Sequence, residues 1–213
     1  MKMRIASLSL LTVLCLALSV PALADLYNNG PTNGTVNSYF IDAFVVTDSF
    51  VPNANTRIFS FTFAEWVPPG STPLTVDWAI GTSSFGSNLG SGFNAPIFAS
   101  LLCHSGDPFN GGICGFSLDD VYTSSVIVGA IPVTAGQTYW LTLANAKDDF
   151  GGRDSWDENS GPSTAYDSTL GAIPSESFTI TGIPQPVPEP SGIILFGSGV
   201  LGLAGVLRRK LNT

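Results

Sequence analysis

The chain has 213 residues, a net charge of −8 and three cysteines, and its two apolar ends carry five of the eight basic residues. Between residues 25 and 187, three basic residues stand against 15 acidic residues, which gives this region a net charge of −12. So acidic a region repels phosphate backbones, which excludes nucleic acid as a partner. One domain of ordinary size fits between the two ends.

Residues 1–24 have the three parts of a secretory signal peptide. Lys2 and Arg4 provide the positive start, residues 5–20 are almost wholly apolar, and Ala22 and Ala24 are the small residues of a cleavage site. We expect this segment to be an apolar helix that signal peptidase removes before Asp25. The rest of the chain is then exported.

The region that follows, residues 25–182, is predicted to be one β domain. Apolar residues recur with a period of two, as in Leu74, Val76, Trp78 and Ile80, which indicates half-buried strands. The predicted strands cover residues 39–46, 57–63, 74–80, 97–102, 126–131, 138–143 and 177–181. Glycine- and proline-rich turns separate them. This pattern predicts an all-β fold, a two-sheet antiparallel sandwich of jelly-roll or immunoglobulin-like topology.

Cys103 and Cys114 are the two cysteines that remain once Cys15 leaves with the signal peptide. In an oxidising compartment we expect them to form a disulfide. Closing so short a loop would restrict the unfolded chain by about 3 kcal/mol. The alternative is a pair of free, buried thiols.

The densest polar segment of the sequence is 148–159, which follows the predicted strand 138–143. Ca²⁺ takes six to eight oxygen ligands, and several carboxylates in one loop could supply them. The candidate ligands are Asp148, Asp149, Asp154, Asp157 and Glu158. Their spacing does not match an EF-hand loop, and the alternative is a solvated acidic loop.

Two tryptophans are candidate carbohydrate contacts. Trp156 lies within the acidic segment, close to Asn159, and Trp66 precedes Pro68. An exposed aromatic face packs on a sugar ring, while nearby acids and amides bond to its hydroxyl groups. The alternative is that both indoles belong to the core.

The chain offers little catalytic chemistry. It contains no Gly-x-Ser-x-Gly, His-Glu-x-x-His or phosphate-binding glycine motif. The single histidine, His104, is a sequence neighbour of Ser105 and Asp107, and such neighbours rarely converge as a triad does. We therefore do not predict an enzyme. A secreted glycan-active hydrolase stays as an alternative, because it needs only two carboxylates about 5 to 10 Å apart.

The C-terminal end contains a linker and an apolar tail. Residues 183–190 are proline-rich and are predicted to form an extended linker. The tail, residues 191–213, begins with 17 uncharged residues, which as a helix would span roughly 25 Å and so cross a membrane. The basic residues that follow, Arg208, Arg209 and Lys210, favour the cytoplasmic side. The alternative is a buried core helix.

This end of the chain resembles the PEP-CTERM sorting tail. Val187, Pro188, Glu189 and Pro190 contain the Pro-Glu-Pro signature, and the apolar helix and basic end follow in order. The resemblance implies that an exosortase, a membrane peptidase, cuts near the motif and releases or re-anchors the domain. It also implies a transient inner-membrane anchor, followed by a cell-surface or extracellular location, in Gram-negative bacteria that make exopolysaccharide.

Other resemblances carry less information about function. The stretches 135–141, 156–161 and 173–178 are similar to uncharacterised β-rich domains that carry this tail. The same tail is also labelled as the C-terminal domain of ice-binding proteins. No regular Thr-x-Thr ladder is present to form an ice-matching face, so we do not expect ice binding.

The sequence therefore predicts an exported, non-catalytic cell-surface or extracellular-matrix protein. Its expected partners are signal peptidase and exosortase during export, the membrane through the tail, and exopolysaccharide at the surface. Two alternatives stay open, a Ca²⁺-assisted lectin-like module with its sugar site on the acidic segment, and the secreted hydrolase.

Overall fold

The computed structural model describes residues 23–32, 37–107 and 118–184, and these ranges are all β with no helix. The strands are β1 (Ala24–Asn28), β2 (Ser38–Phe40), β3 (Val46–Phe50), β4 (Thr56–Val67), β5 (Pro73–Gly81), β6 (Gly90–Pro96), β7 (Phe98–Cys103), β8 (Asp120–Val133), β9 (Tyr139–Asp148), β10 (Ser155–Asp157), β11 (Ala165–Asp167), β12 (Gly171–Ile173) and β13 (Phe178–Pro184). In this part of the chain, nothing has the length and helical form of an apolar membrane span.

The strands form two antiparallel sheets. In the first sheet, β4 pairs with β8 along one edge and with β13 and then β10 along the other. The outer strands β1, β2 and β7 complete this sheet, and the second sheet has the order β12, β11, β3, β9, β5, β6. The chain alternates between the sheets, since β3 and β5 lie in the second and β4 lies in the first. The predicted all-β class with two antiparallel sheets is confirmed.

The two sheets share one core. The ring of Phe61 on β4 meets that of Trp78 on β5 at a centroid distance of 6.4 Å, and Phe50 on β3 meets Phe178 on β13 at the same distance. Val76, Trp78 and Ile80 are buried on one face of β5, as the period of two predicts. Leu74 is 48% exposed, because register shifts near Thr75 turn it away from that face.

The predicted strand 39–46 is wrong. The chain bends over residues 41–44, between β2 and β3. Ile41 is fully buried in this bend, its N–H donates to Asp154 O at 2.9 Å, and its carbonyl accepts from Ala146 N at 3.0 Å. Because Asp154 precedes β10 and Ala146 lies on β9, the bend is bonded to both sheets.

The structure extends the domain at its C-terminal boundary. Strand β13 includes Ile183 and Pro184, which pair with Arg57 and Thr56. The first two residues of the predicted linker therefore belong to the first sheet. Residues 1–22 of the predicted signal peptide, the tail 191–213 and Cys114 lie outside the described residues, so the two helices and the disulfide stay predictions. The last residue of the predicted signal peptide, Ala24, lies in β1 and pairs with Gly182. Cys103, at the end of β7, is buried.

Candidate functional site

The five predicted calcium ligands do not lie together. Asp149 is exposed, and its Oδ1 accepts hydrogen bonds from Ser71 Oγ and Thr72 N, each at 2.8 Å. Asp157 is buried, and its Oδ1 accepts from Trp66 Nε1 at 2.9 Å. Glu158 is half-buried, and it forms an isolated bridge with Glu176. Asp148 and Asp154 do act on each other, since the charge of Asp148 contributes to the raised pKa of Asp154.

The expectation that Trp156 and Trp66 are exposed sugar platforms is wrong. Trp156 is 0% exposed and Trp66 9% exposed. The indole of Trp156 points inward because it pairs with Glu65 on the core-facing side of β4, and its Nε1 donates to Ser177 O at 2.9 Å. Asn159 is also buried, and its Nδ2 donates to Asn29 O at 2.7 Å. These three side chains support the fold and offer no face to a sugar.

Four carboxyl groups meet at one end of the core, and we call them the end cluster: Asp42, Glu65, Asp148 and Asp154. Glu65 follows Phe61 and Phe63 on the inward face of β4, and Asp148 is the inward-facing last residue of β9. The two sheets thus present these side chains toward each other. Asp42 comes from the bend 41–44, and Asp154 immediately precedes β10.

The loop after β9 holds one oxygen of Asp148. Asp148 Oδ1 accepts hydrogen bonds from the backbone N–H groups of Phe150 at 2.9 Å, Gly151, and Gly152 at 3.1 Å. Gly151 and Gly152 adopt φ of 92° and 134°, a region that glycine enters without strain. The tight loop therefore places Asp148 and Asp154 at the same end of the core.

Two more carboxyl groups of the end cluster also accept a hydrogen bond at only one oxygen. Asp42 Oδ2 accepts from Arg153 N at 2.9 Å, and Glu65 Oε2 accepts from Ser124 Oγ at 2.5 Å. The other oxygens are buried and accept no hydrogen bond: Asp42 Oδ1, Glu65 Oε1, Asp148 Oδ2, and both Oδ1 and Oδ2 of Asp154. Buried polar atoms nearly always have a partner, so five such oxygens at one place are unusual.

Burial and mutual repulsion both act on the end cluster. Burial raises the pKa of Asp154 to about 7, and the charges of Asp148 and Asp42 add to that rise. Burial raises the pKa of Glu65 to about 8, a rise opposed by the hydrogen bond from Ser124 and increased by Asp154 and Asp148. No described basic side chain forms an ion pair with these carboxyls, since the Arg153 guanidinium faces Asp119 at 3.9 Å. With the side chains as they stand, no three acidic, His or Cys residues in the described ranges are arranged to hold a metal ion.

A second buried carboxyl pair, Asp48 and Glu176, lies elsewhere in the sandwich. Asp48 accepts four hydrogen bonds, from Ser49 N at 2.6 Å, Glu176 N at 2.7 Å, Ser163 Oγ at 2.9 Å and Asn29 Nδ2 at 3.2 Å. Glu176 is 0% exposed, and neither of its carboxyl oxygens has a hydrogen-bond partner. The Asp48 carboxyl group is therefore well supplied with hydrogen-bond donors, whereas the Glu176 carboxyl group has none among the described residues.

A groove of about 400 Å³ lies on the outer face of the second sheet, and we call it the aromatic groove. Its main rings are the half-buried Trp140 on β9 and Tyr166 on β11, whose centroids are 5.7 Å apart. Hydroxyl side chains surround the rings: Ser49, Thr138, Ser163 and Thr164. Sequence analysis missed this groove, although Trp140 alternates with the buried Tyr139 and Leu141 and so belongs to the outward phase of its strand.

His104 does form a contact with an acid. Its Nδ1 lies 3.2 Å from Asp120 Oδ2, and the same carboxylate accepts from Gly70 N at 2.9 Å and Ser105 N at 2.7 Å. Asp120 therefore connects the turn before β5 with the segment after β7. Ser105 contributes its backbone N–H to this arrangement.

Comparison with known proteins identifies the tail. No curated protein matches the chain significantly. Residues 186–210 match the family model described as the PEP-CTERM protein-sorting motif, and they include Pro188, Glu189 and Pro190 and the basic residues Arg208 to Lys210. The match covers the tail and leaves the β domain outside it. The predicted sorting motif is thus confirmed, and it supports an exported protein that exosortase processes at the cell surface.

Proposed function

We propose that this chain is a non-catalytic cell-surface or extracellular-matrix protein that contacts exopolysaccharide through the aromatic groove. Signal peptidase removes residues 1–24, the tail holds the protein transiently in the inner membrane, and exosortase then processes it. The observation that carries the binding role is the pair Trp140 and Tyr166, which lies on an open sheet face among hydroxyl side chains.

The groove suits a sugar polymer in both chemistry and charge. Half-exposed aromatic rings pack against the C–H faces of sugar rings, and the exposed hydroxyls of Thr138 and Thr164 beside them can bond to sugar hydroxyls. A groove of about 400 Å³ is within the usual size range of ligand sites. Because residues 25–187 carry a net charge of −12, a neutral polysaccharide is favoured over one rich in uronic acids.

The same geometry bears on the open alternatives. Trp140 and Asp148 are eight residues apart on β9, or roughly 25 Å. Calcium at the acidic segment would therefore not contact a sugar in the groove. The lectin-like alternative places its sugar on that segment, and the burial of Trp156 and Asn159 there weighs against it. The unpartnered carboxyls of the described residues are buried and no described acidic residue lines the groove, which weighs against the hydrolase.

Replacing Trp140 with alanine tests this proposal. The variant is expected to bind a neutral exopolysaccharide at least about tenfold more weakly than the unchanged protein, because central aromatic anchors carry much of the energy of such contacts. Affinity electrophoresis or calorimetry against a panel of neutral and uronic acid-rich polymers would measure this. The matched control is Phe93→Ala, since Phe93 on β6 is a 78% exposed ring of the same sheet that does not line the aromatic groove. Equal losses in both variants, or none in either, would contradict the assignment.

A further inference from the structure

We propose that the end cluster binds one Ca²⁺ ion, which links the two sheets at that end of the core. The site takes Glu65 from β4, Asp148 from β9, Asp42 from the bend 41–44 and Asp154 from the residue before β10. Only Asp148 and Asp154 belong to the acidic segment 148–159. The proposed ligand set is therefore built across the fold, and it is independent of polysaccharide binding.

The unpartnered oxygens are the first reason for this proposal. Asp154 is 0% exposed, and neither of its carboxyl oxygens accepts a hydrogen bond. Glu65 is also 0% exposed, and its Oε1 accepts no hydrogen bond. A buried carboxylate without a partner is strongly disfavoured, so it requires a proton or a cation. No described lysine, arginine or histidine provides that cation.

The donor chemistry indicates which cation fits. All the available atoms are carboxylate oxygens, which suit Ca²⁺ and Mg²⁺ and not the metals that prefer nitrogen or sulfur. Ca²⁺ accepts six to eight oxygens in variable geometry, whereas Mg²⁺ requires a regular octahedron and retains water. The five unpartnered oxygens, with backbone carbonyls or water, match the larger ion.

Binding requires the carboxyl groups to turn toward one point, because they do not converge on an ion as they stand. Turning a carboxyl group moves both of its oxygens, and Asp154 can turn without losing a hydrogen bond because neither of its oxygens accepts one. Asp42, Glu65 and Asp148 are each held at one oxygen, by Arg153 N, Ser124 Oγ and the loop N–H groups, so smaller turns of these groups must direct their free oxygens to the ion. The backbone around the site is thus already fixed, and Asp154 has the greatest freedom to rotate.

Calcium-dependent melting of the purified full-length chain tests the site. After removal of metal with EDTA, addition of CaCl₂ at pH 7.5 and constant ionic strength is expected to raise Tm by about 5 °C or more. Calorimetry should give one ion per chain. MgCl₂ at the same concentration should produce a clearly smaller shift.

Two variants separate this site from general binding to an acidic surface. Asp154→Asn and Glu65→Gln should each fold, since both remove a repelling charge, and each should lose most of the calcium-induced shift. The control Glu176→Gln, which neutralises a buried acid elsewhere, should retain it. The proposal is overturned if CaCl₂ does not change Tm or produce binding heat. It is also overturned if Asp154→Asn responds as strongly as the unchanged protein.

Discussion

Replacing Trp156 with alanine is expected to lower the free energy of unfolding by about 3–5 kcal/mol, the usual loss for a large aromatic core residue. Trp156 is 0% exposed, and its ring meets those of Phe63 and Phe178 at 6.1 and 5.6 Å. Alanine leaves a cavity and deprives the Ser177 carbonyl of the indole N–H. Thermal melting should show a fall in Tm of about 10 °C.

The matched control is Trp140→Ala, which makes the same change at a half-buried ring on the outer face of the second sheet. Its loss of stability should be less than half as large. If the alanine variant of Trp156 does not fold, Trp156→Phe gives a graded test. Phenylalanine keeps most of the ring contacts but leaves the buried Ser177 carbonyl without its donor. This should lower the free energy of unfolding by about 1–3 kcal/mol. A Trp156→Ala loss no greater than that of the control would show that Trp156 does not stabilise the core.

In EDTA, the unchanged protein is expected to be more stable at pH 5 than at pH 8, by about 5 °C or more in Tm, because burial raises the pKa of four carboxyl groups: Asp154 and Glu65 of the end cluster, and the pair Asp48 and Glu176. Burial raises the pKa of Glu176 well above its ordinary range, and the charges of Asp48, Asp157, Glu158 and Asp167 add to the rise. Burial likewise raises the pKa of Asp48 to about 6, against the opposing effect of its hydrogen bonds.

The sign of the effect follows from proton binding. Between the ordinary carboxyl pKa and these raised values, the folded state holds more protons than the unfolded state, so stability falls as pH rises. Asp48 alone contributes about 1.4 kcal/mol between pH 5 and pH 8, which corresponds to about 3–6 °C in a domain of this size. Asp48 ionises first because four donated hydrogen bonds stabilise its charge, and Glu176 ionises last.

Glu176→Gln isolates this contribution, since glutamine resembles the protonated acid and carries no charge at any pH. The variant should melt at least about 6 °C above the unchanged protein at pH 8 but only about 2–4 °C above it at pH 5, because most unfolded chains already carry an ionised Glu176 at pH 5. Melting in EDTA at both pH values measures the two differences. The same difference at pH 5 and pH 8 would mean that Glu176 does not titrate in this range.

The period of two in the sequence predicts the strands that span the core, because these strands bury one face along most of their length. Strand β5 shows this well, with Val76, Trp78 and Ile80 buried in turn. The three-residue strand β10 is too short to display a period, so the burial of Trp156 could not be predicted from its neighbours. The bend at Ile41 depends on bonds to Asp154 and Ala146, which are more than 100 residues away in the chain.

The sequence likewise predicts only some of the residues of the end cluster. Asp148 and Asp154 stand out in the sequence because they lie in one acidic segment. Glu65 and Asp42 come from distant parts of the chain, and only the fold brings them to the same end of the core. One signal was present, since Glu65 occupies the inward position that follows Phe61 and Phe63 on the same strand. A charged residue in the core-facing phase of a strand indicates a site worth locating in the structure.

The position of β13 also determines how the domain responds to mechanical force. This strand is hydrogen-bonded to β4 along one edge and to β1 along the other, up to the pair of Pro184 with Thr56. The sorting motif begins at residue 186, so almost no slack separates it from the sheet. A pull on the tail must therefore break two antiparallel ladders together, and the domain is loaded through one of its most strongly held strands. Because Asp25, the first residue after the predicted cleavage site, pairs with Thr181, the two ends of the domain leave side by side.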